Sequence, residues 1–374
     1  MIEAILLLIP IAFAVSLTGV WIMLRLGRRL RAFDSAPIPG QQKMRRRPIP
    51  NTGGVGLFLG IALPVLAGLV ALNAFADPIV RAFPALAEHL PRIREQTFDA
   101  VILLLALTAL HIIGVIDDRR PLGPGLKLAI MLGCAAAVVT ATTGTRLLTM
   151  LDAHVGGPWL SILITILWFG VVTNAMNFMD NMDGLSAGCA AVASICFLIA
   201  TLLNAQWLVA ALLALLIGAS LGFLVFNFPP AKIFMGDGGS LILGFLLAFL
   251  TTRTTFYDPA VSAGWYALCM PLLVLAVPLY DFVTVSCIRI RAGKSPFVGD
   301  LNHFSHRLRR RGLSTRQVAL VVYGLTAATG VSGIILASLN SWQAALVSAQ
   351  VALILAALAL IEFASRDQEH PVEP

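Results

Sequence analysis

Runs of about twenty apolar residues recur along the whole chain, divided by short polar stretches. A helix needs about 20 such residues to cross the hydrocarbon core of a bilayer. The runs predict spans at 2–24, 54–75, 98–116, 126–143, 159–176, 187–204, 207–226, 239–256, 264–287, 317–338 and 342–363, eleven in all. Only a short hinge around Asn204 and Gln206 divides the sixth from the seventh. No long repeat is visible, and no loop has room for a soluble domain. The expected fold is all-α: a polytopic integral membrane protein, one multi-span domain over 1–374. Its active-site loops are expected at 25–53, 117–127, 177–188, 227–239 and 288–316. Residues 2–24 lack a basic leader and a cleavage site, and read as a retained span, not a signal peptide.

Charge adds an orientation. Short cytoplasmic loops carry an excess of Lys and Arg. With the N-terminus outside and spans alternating, 21 of the 26 Lys and Arg fall on the cytoplasmic side and 5 outside. Composition agrees with a membrane protein: 58% of residues are hydrophobic and 12% charged, where soluble domains average about 25% charged. The net charge of +7 is therefore topological and does not point to nucleic acid. Cys134, Cys189, Cys196, Cys269 and Cys287 lie in or beside apolar runs without a C-x-x-C pair. That argues for buried thiols and against a zinc site or a disulfide framework.

The polar motifs all fall at cytoplasmic ends of the runs. Between two greasy runs stands Asn174-Ala175-Met176-Asn177-Phe178-Met179-Asp180-Asn181-Met182-Asp183-Gly184-Leu185. Ionisable groups at the end of a membrane span mark function by default. Asn174, Asn177, Asp180 and Asp183 recur every third residue. Steps of three drift by about 60° each on an α-helix, so the helix is expected to fray near Asp180, with Gly184 helping it stop. Such a motif would deliver oxygen ligands to one pocket, suited to Mg²⁺ and a phosphorylated substrate. A polar loop with an Asx-turn is the plainer reading.

Four further stretches join it. The first loop runs Gln42-Lys43-Met44-Arg45-Arg46-Arg47 and ends in Asn51-Thr52-Gly53-Gly54. It could hold phosphates or lipid headgroups at a helix start, or supply positive-inside charge alone. Asp117 and Asp118 close the third run, with Lys127 opening the fourth. Neighbours on a helix point about 100° apart, so only one aspartate need face the pocket. Phe234-Met235-Gly236-Asp237-Gly238-Gly239-Ser240 opens the eighth run. Free amides at such a start cradle an anion, and Asp237 could hold a bridging cation or serve as an N-cap. The last loop holds Arg291, Lys294, His303, His306 and Arg307. A His pair at i, i+3 in a basic loop suits a diphosphate better than zinc, since no third soft ligand is near. Asp281 is a further candidate acid.

Taken in order, these motifs resemble the polyprenyl-phosphate N-acetylhexosamine-1-phosphate transferases, over about Lys43 to Leu313. The resemblance implies transfer of a sugar 1-phosphate from a UDP-N-acetylhexosamine, foremost UDP-GlcNAc, to undecaprenyl phosphate, with release of UMP. It implies Mg²⁺, with Mn²⁺ as a substitute. It implies a multi-pass protein of the bacterial inner membrane, working on the cytoplasmic face among membrane lipid; a homodimer stays open. By resemblance Asp117 and Asp118 match the paired aspartates. Asn177, Asp180 and Asp183 match the central acidic motif, beside which Asn181 is counted for substrate. Asp237 matches the aspartate assigned to the metal, with Asp117 and Asp183 as expected co-ligands. Lys43, Lys127, Arg291, His303, His306 and Arg307 are expected to bind substrate.

Two departures stand out. Gln42-Lys43-Met44-Arg45 replaces the usual Arg-Lys-x-His, and Ser305 stands where a further histidine is usual. The second argues against the branch that uses UDP-MurNAc-pentapeptide for peptidoglycan, which carries three consecutive histidines. Ser305→His is expected to be tolerated on this reading. The alternatives are that pentapeptide branch and, in another class, an ion-coupled transporter. A transporter would place its carboxylates mid-membrane in broken helices, often with repeats.

Overall fold

In the computed structural model, residues 1–33, 48–82, 84–254, 256, 264–296 and 299–363 are described. The first-loop residue Lys43, expected to bind substrate, lies outside them. Helices account for most of the described chain, with no strand there beyond two isolated bridges. The principal ones are α1 (Ile2–Arg29), α2 (Gly53–Ala74), α3 (Thr97–Arg119), α4 (Pro124–Ala141), α5 (Trp159–Met179), α6 (Leu185–Leu203) and α7 (Trp207–Asn227). They continue as α8 (Asp237–Arg253), α9 (Ala276–Arg291), α10 (Phe304–Arg310), α11 (Thr315–Ile335) and α12 (Ser341–Phe363).

Among the described residues nine helices, α1 to α7 with α11 and α12, are long and apolar enough to cross a membrane. A tenth crossing comes from Trp265–Val274 taken with α9, two pieces bent by 70°. The single ninth span expected from hydropathy is therefore broken. Pro278, in the first turn of α9, cannot donate to the carbonyl of Val274, and its ring crowds that carbonyl. The expected eighth span is α8, with 17 residues, or about 26 Å at the usual rise. It nevertheless runs the length of α3. At one end the Asp237 amide donates to Asp118 Oδ1 (3.0 Å), in the last turn of α3. At the other, Arg253 pairs with Asp99 at 3.1 Å, in the first turn of α3.

α8 is the axis of the bundle. Almost every residue from Gly238 to Thr252 is buried, and α2, α3 and α5 pack around it. A helix apolar on all sides belongs in such a core. α1 lies outside, along α2 and α7, where Ser16 Oγ donates to the Ala219 carbonyl at 2.8 Å. The outer faces of α1 and α12 keep Leu7, Ile11, Leu353 and Leu360 exposed, as a lipid-facing surface requires. The five cysteines are all free, with Cys189 and Cys196 buried.

The polar motifs gather at one end of this bundle. Its orientation is testable at two exposed positions, Lys294 between α9 and α10 and Asn340 between α11 and α12. With the native cysteines replaced, a cysteine at 340 is expected to react with an impermeant maleimide in intact cells. One at 294 should react only after permeabilisation. The reverse pattern would invert the topology.

Candidate active site

The ends of α3, α4, α5 and α8 meet at one cluster. Asp117 and Asp118 occupy the last turn of α3 rather than the loop expected after it. Their side chains part, as neighbours 100° apart must. Asp118 turns inward. Its carboxylate accepts from Asn51 Nδ2 (3.1 Å), from the Asp237 amide (3.0 Å) and from the Gly238 amide (3.4 Å). It thereby satisfies the first free amides of α8, which would otherwise be orphaned. Asp117 turns the other way, accepting from the Leu122 amide at 2.7 Å and facing Lys127 at 3.3 Å. The Lys127 ammonium also bonds Asp237 Oδ2. Asn177, from the last turns of α5, donates to Asp237 Oδ1 and to Ser240 Oγ, each at 2.8 Å.

Two glycines permit the approach. Gly236, just before α8, has φ +68, and a Cβ on it would collide with Asp118 and Asn51. A Cβ on Gly114 would strike the backbone of Asp237 and Gly238. Any larger residue at Gly114 would wedge α3 away from the α8 terminus.

The central motif serves several places, not one pocket. α5 ends at Met179, so the expected fraying point near Asp180 agrees with the observed end. Gly184, at φ +76, opens α6. Beyond the helix end the side chains fan out. Asn177 reaches Asp237, while Asn181 accepts from Ser305 Oγ of α10. Asp183 accepts from the Ala231 amide at 3.0 Å and lines a cavity of about 190 Å³ with Pro229, Pro230, Ser314, Thr315 and Arg316. Asp180 is the half-buried C-cap of α5. Asp183 therefore does not join Asp117 and Asp237, as the expected metal set required. Among the described residues no three His, Cys, Asp or Glu side chains converge as a metal-binding group.

The last loop is knit more tightly than a substrate clamp. His303 donates from Nδ1 to Asp281 Oδ2 (2.8 Å), and its Nε2 faces an Arg289 nitrogen at 3.3 Å. Asp281, a candidate acid in the sequence, also caps α10 by accepting from the Phe304 amide at 2.6 Å. Arg289 is only 2% exposed and pairs with Asp300 at 3.1 Å. Burial opposes ionisation of Asp300, but the bonds from Arg289 and Asn302 outweigh it and hold its carboxyl below the usual range. Arg307, expected to bind substrate, is buried and doubly bonded to Glu362 of α12, at 2.6 and 2.9 Å. Its guanidinium is committed to the fold. His306 is buried too; burial first and His303 second push it down to about 4, so it is neutral at pH 7. Arg291 is exposed at the end of α9.

Ser305 corrects one expectation. It is 1% exposed and holds Asn181. An imidazole there would overpack the α10 interface and break that bond. Ser305→His is expected to destabilise the enzyme and cut turnover about tenfold or more; a variant with wild-type melting and rate would show that the pocket has spare room.

Asn51, Ser240, Arg289, Asp300 and Glu362 were not singled out from the sequence. Glu362 did leave a signal, as the only acidic residue between 317 and 363. A lone carboxylate in an apolar run is expensive unless partnered.

Comparison with known proteins bears on this arrangement. The family model described as Glycosyl transferase family 4 matches residues 100–255, from α3 to the end of α8. A probable undecaprenyl-phosphate N-acetylglucosaminyl 1-phosphate transferase of Bacillus subtilis (strain 168) is 30% identical over 340 residues, 89% of this chain and 86% of that protein. A decaprenyl-phosphate N-acetylglucosaminephosphotransferase of Mycobacterium tuberculosis (strain ATCC 25618 / H37Rv) is 34% identical over 306 residues, 76% of this chain and 71% of that protein. An undecaprenyl-phosphate alpha-N-acetylglucosaminyl 1-phosphate transferase of Escherichia coli (strain K12) is 28% identical, over 78% of this chain and 73% of that protein. With that identity sustained along nearly the whole length, and the carboxylates of α3 and α8 inside the matched region, the chain belongs to glycosyl transferase family 4.

Proposed function

We propose that this chain transfers N-acetylglucosamine 1-phosphate from UDP-GlcNAc to undecaprenyl phosphate, releasing UMP. The relatives named for this activity support the donor and the acceptor. The observation that carries the reading is the meeting of Asp117 and Asp237 on one ammonium, that of Lys127, at the mouth of the bundle. Two carboxylates and a lysine together suit a diphosphate and the cation that accompanies it.

Mg²⁺ is the cofactor on this reading, with Mn²⁺ as a substitute. The residues fit it. Asp237 and Asp117 present hard oxygens to one point, and Mg²⁺ commonly takes only one or two carboxylates besides substrate phosphates and water. When bound, the ion neutralises charge that develops on the departing UMP. Asp237 would hold it, fixed through Oδ1 by Asn177, with Asp117 beside it on Lys127. Lys127 then turns its charge to the phosphates. Asp118 is committed to the amides of α8, so Asp117 is the aspartate able to take a proton from the lipid phosphate. The lipid phosphate oxygen attacks the β-phosphorus, its new P–O bond replacing the bond to UMP. On this reading the α10 loop, bonded to Asn181 through Ser305, would face the diphosphate and sugar of the donor.

The same charge partition of 21 to 5 supports placing the reaction on the cytoplasmic face of a bacterial inner membrane. The test is UMP release by purified protein. Release should require both undecaprenyl phosphate and UDP-GlcNAc, and disappear with EDTA. Release without the lipid phosphate, or full activity in EDTA, would contradict the reading.

A further inference from the structure

We propose that Glu362, at the far end of the chain from the reaction centre, is a positioning residue that holds the α10 loop against the central motif. α10 has seven residues. A helix that short does not persist on its own, so tertiary tethers decide where it sits. Three are visible. Asp281 of α9 caps its first amide. Ser305 bonds Asn181 beside the end of α5. Arg307 bonds Glu362 of α12.

The third is the strongest, an ion pair that reaches across 55 residues. Glu362 Oε2 accepts from Arg307 Nε, from an Arg307 terminal nitrogen and from Tyr280 Oη, at 2.9, 2.6 and 3.1 Å. The same guanidinium also bonds the Asn302 carbonyl and approaches Thr284 Oγ1 at 3.4 Å. One ion pair thus joins α9, α10 and α12. The second carboxylate oxygen of Glu362 is buried without a hydrogen-bond partner.

A pair buried in this way is a poor device for stability alone, because desolvation offsets the attraction. It is a good device for geometry, because a planar fork on a carboxylate fixes direction as well as distance. α12 is otherwise peripheral: its upper half packs through Ala344 and Val351 on Leu273 and Leu336, and most of its surface is exposed. In its last turn Glu362 is buried while Ile361 beside it is exposed. Arg307 follows Ser305 by two residues on a single turn of helix, so a shift of Arg307 is passed to the bond between Ser305 and Asn181. Glu362 is therefore a polar link from α12 to α10, while Leu358 one turn earlier joins the main apolar core.

The test uses the full-length enzyme with Glu362→Gln, which keeps shape and removes charge. Hydrogen exchange of amides 303–310 should speed up about tenfold or more, with α11 unchanged. The KM for UDP-GlcNAc should rise about tenfold while kcat stays within about threefold. The kinetic arm rests on the activity proposed above; the exchange arm does not, and stands even if UDP-GlcNAc is not the donor. Should Glu362→Gln fail to fold, Glu362→Gln with Arg307→Gln leaves no unpaired buried charge and should show the same exchange and KM. A purely structural pair would lower the melting temperature alone. Unchanged exchange at 303–310 in a folded variant would overturn the assignment, as would an unchanged KM in an enzyme that uses UDP-GlcNAc.

Discussion

Asp237→Asn is expected to lower turnover by about a hundredfold or more, with the protein still folded. Asparagine keeps the size of the side chain and the α8 start. It removes the charge that pairs with Lys127 and that, on the proposed reading, would hold the cation. It also forces a choice, because an amide nitrogen placed toward Asn177 Nδ2, which now donates to Oδ1 at 2.8 Å, or toward Lys127 would set donor against donor. Asp117→Asn should behave alike, since Asp117 shares Lys127 and is the proton acceptor on this account. Asp118→Asn should behave differently. Its carboxylate is occupied by Asn51 and by two α8 amides, so the variant should lose melting temperature as well as rate. Steady-state rates over a Mg²⁺ titration, read beside melting curves, check all three. Near-normal turnover of Asp237→Asn would remove the metal assignment. Equal melting with equal rate loss in Asp117→Asn and Asp118→Asn would remove the division of labour between them.

UDP-GlcNAc is expected to outpace UDP-MurNAc-pentapeptide by about a hundredfold or more at equal concentration, the scale on which a site rejects a mismatched group. The reason lies in the α10 loop. In place of a run of histidines, Ser305 is buried on Asn181, and Arg307 is turned to Glu362. His303 is held between Asp281 and Arg289. A loop closed on itself in this way offers few side chains to a peptide. A bare N-acetyl sugar needs only a small polar pocket beside the diphosphate. A competition assay with both donors, resolved by the mass of the lipid product, checks this. Dominance of the pentapeptide product would overturn the branch while leaving the helix bundle and the Asp117–Lys127–Asp237 cluster in place.

The apolar runs made the helices legible, because a bilayer fixes how long such a run must be. They did not reveal the break at Leu275, which depends on a proline in the next turn. The parts of the site that were legible are those where one motif carries its own reason: the paired aspartates, the Gly-rich start of α8, and the end of α5. Where each side chain goes was not. The step of three in Asn177, Asp180 and Asp183 foretold drift around the helix, yet one shared pocket was inferred from it. The structure sends Asn177 to Asp237, Asn181 to Ser305 and Asp183 to Ala231 instead. Arg307 read as a phosphate ligand because it sits in a basic loop. Its partner Glu362 is 55 residues away, and only packing brings them together. Asn51 likewise meets Asp118 across 67 residues. Long-range partners of this kind decide whether a charged residue is free for substrate, and local pattern does not contain them.

The most direct measurement follows the β-phosphate. The enzyme is given undecaprenyl phosphate and UDP-GlcNAc labelled with ³²P at the β position, and the products are partitioned between butanol and water. Transfer of a sugar 1-phosphate predicts the label in the lipid phase, one equivalent per UMP formed. Label left in water as UDP would mean that the bond from sugar to phosphate had been cut, and would contradict attack at the β-phosphorus.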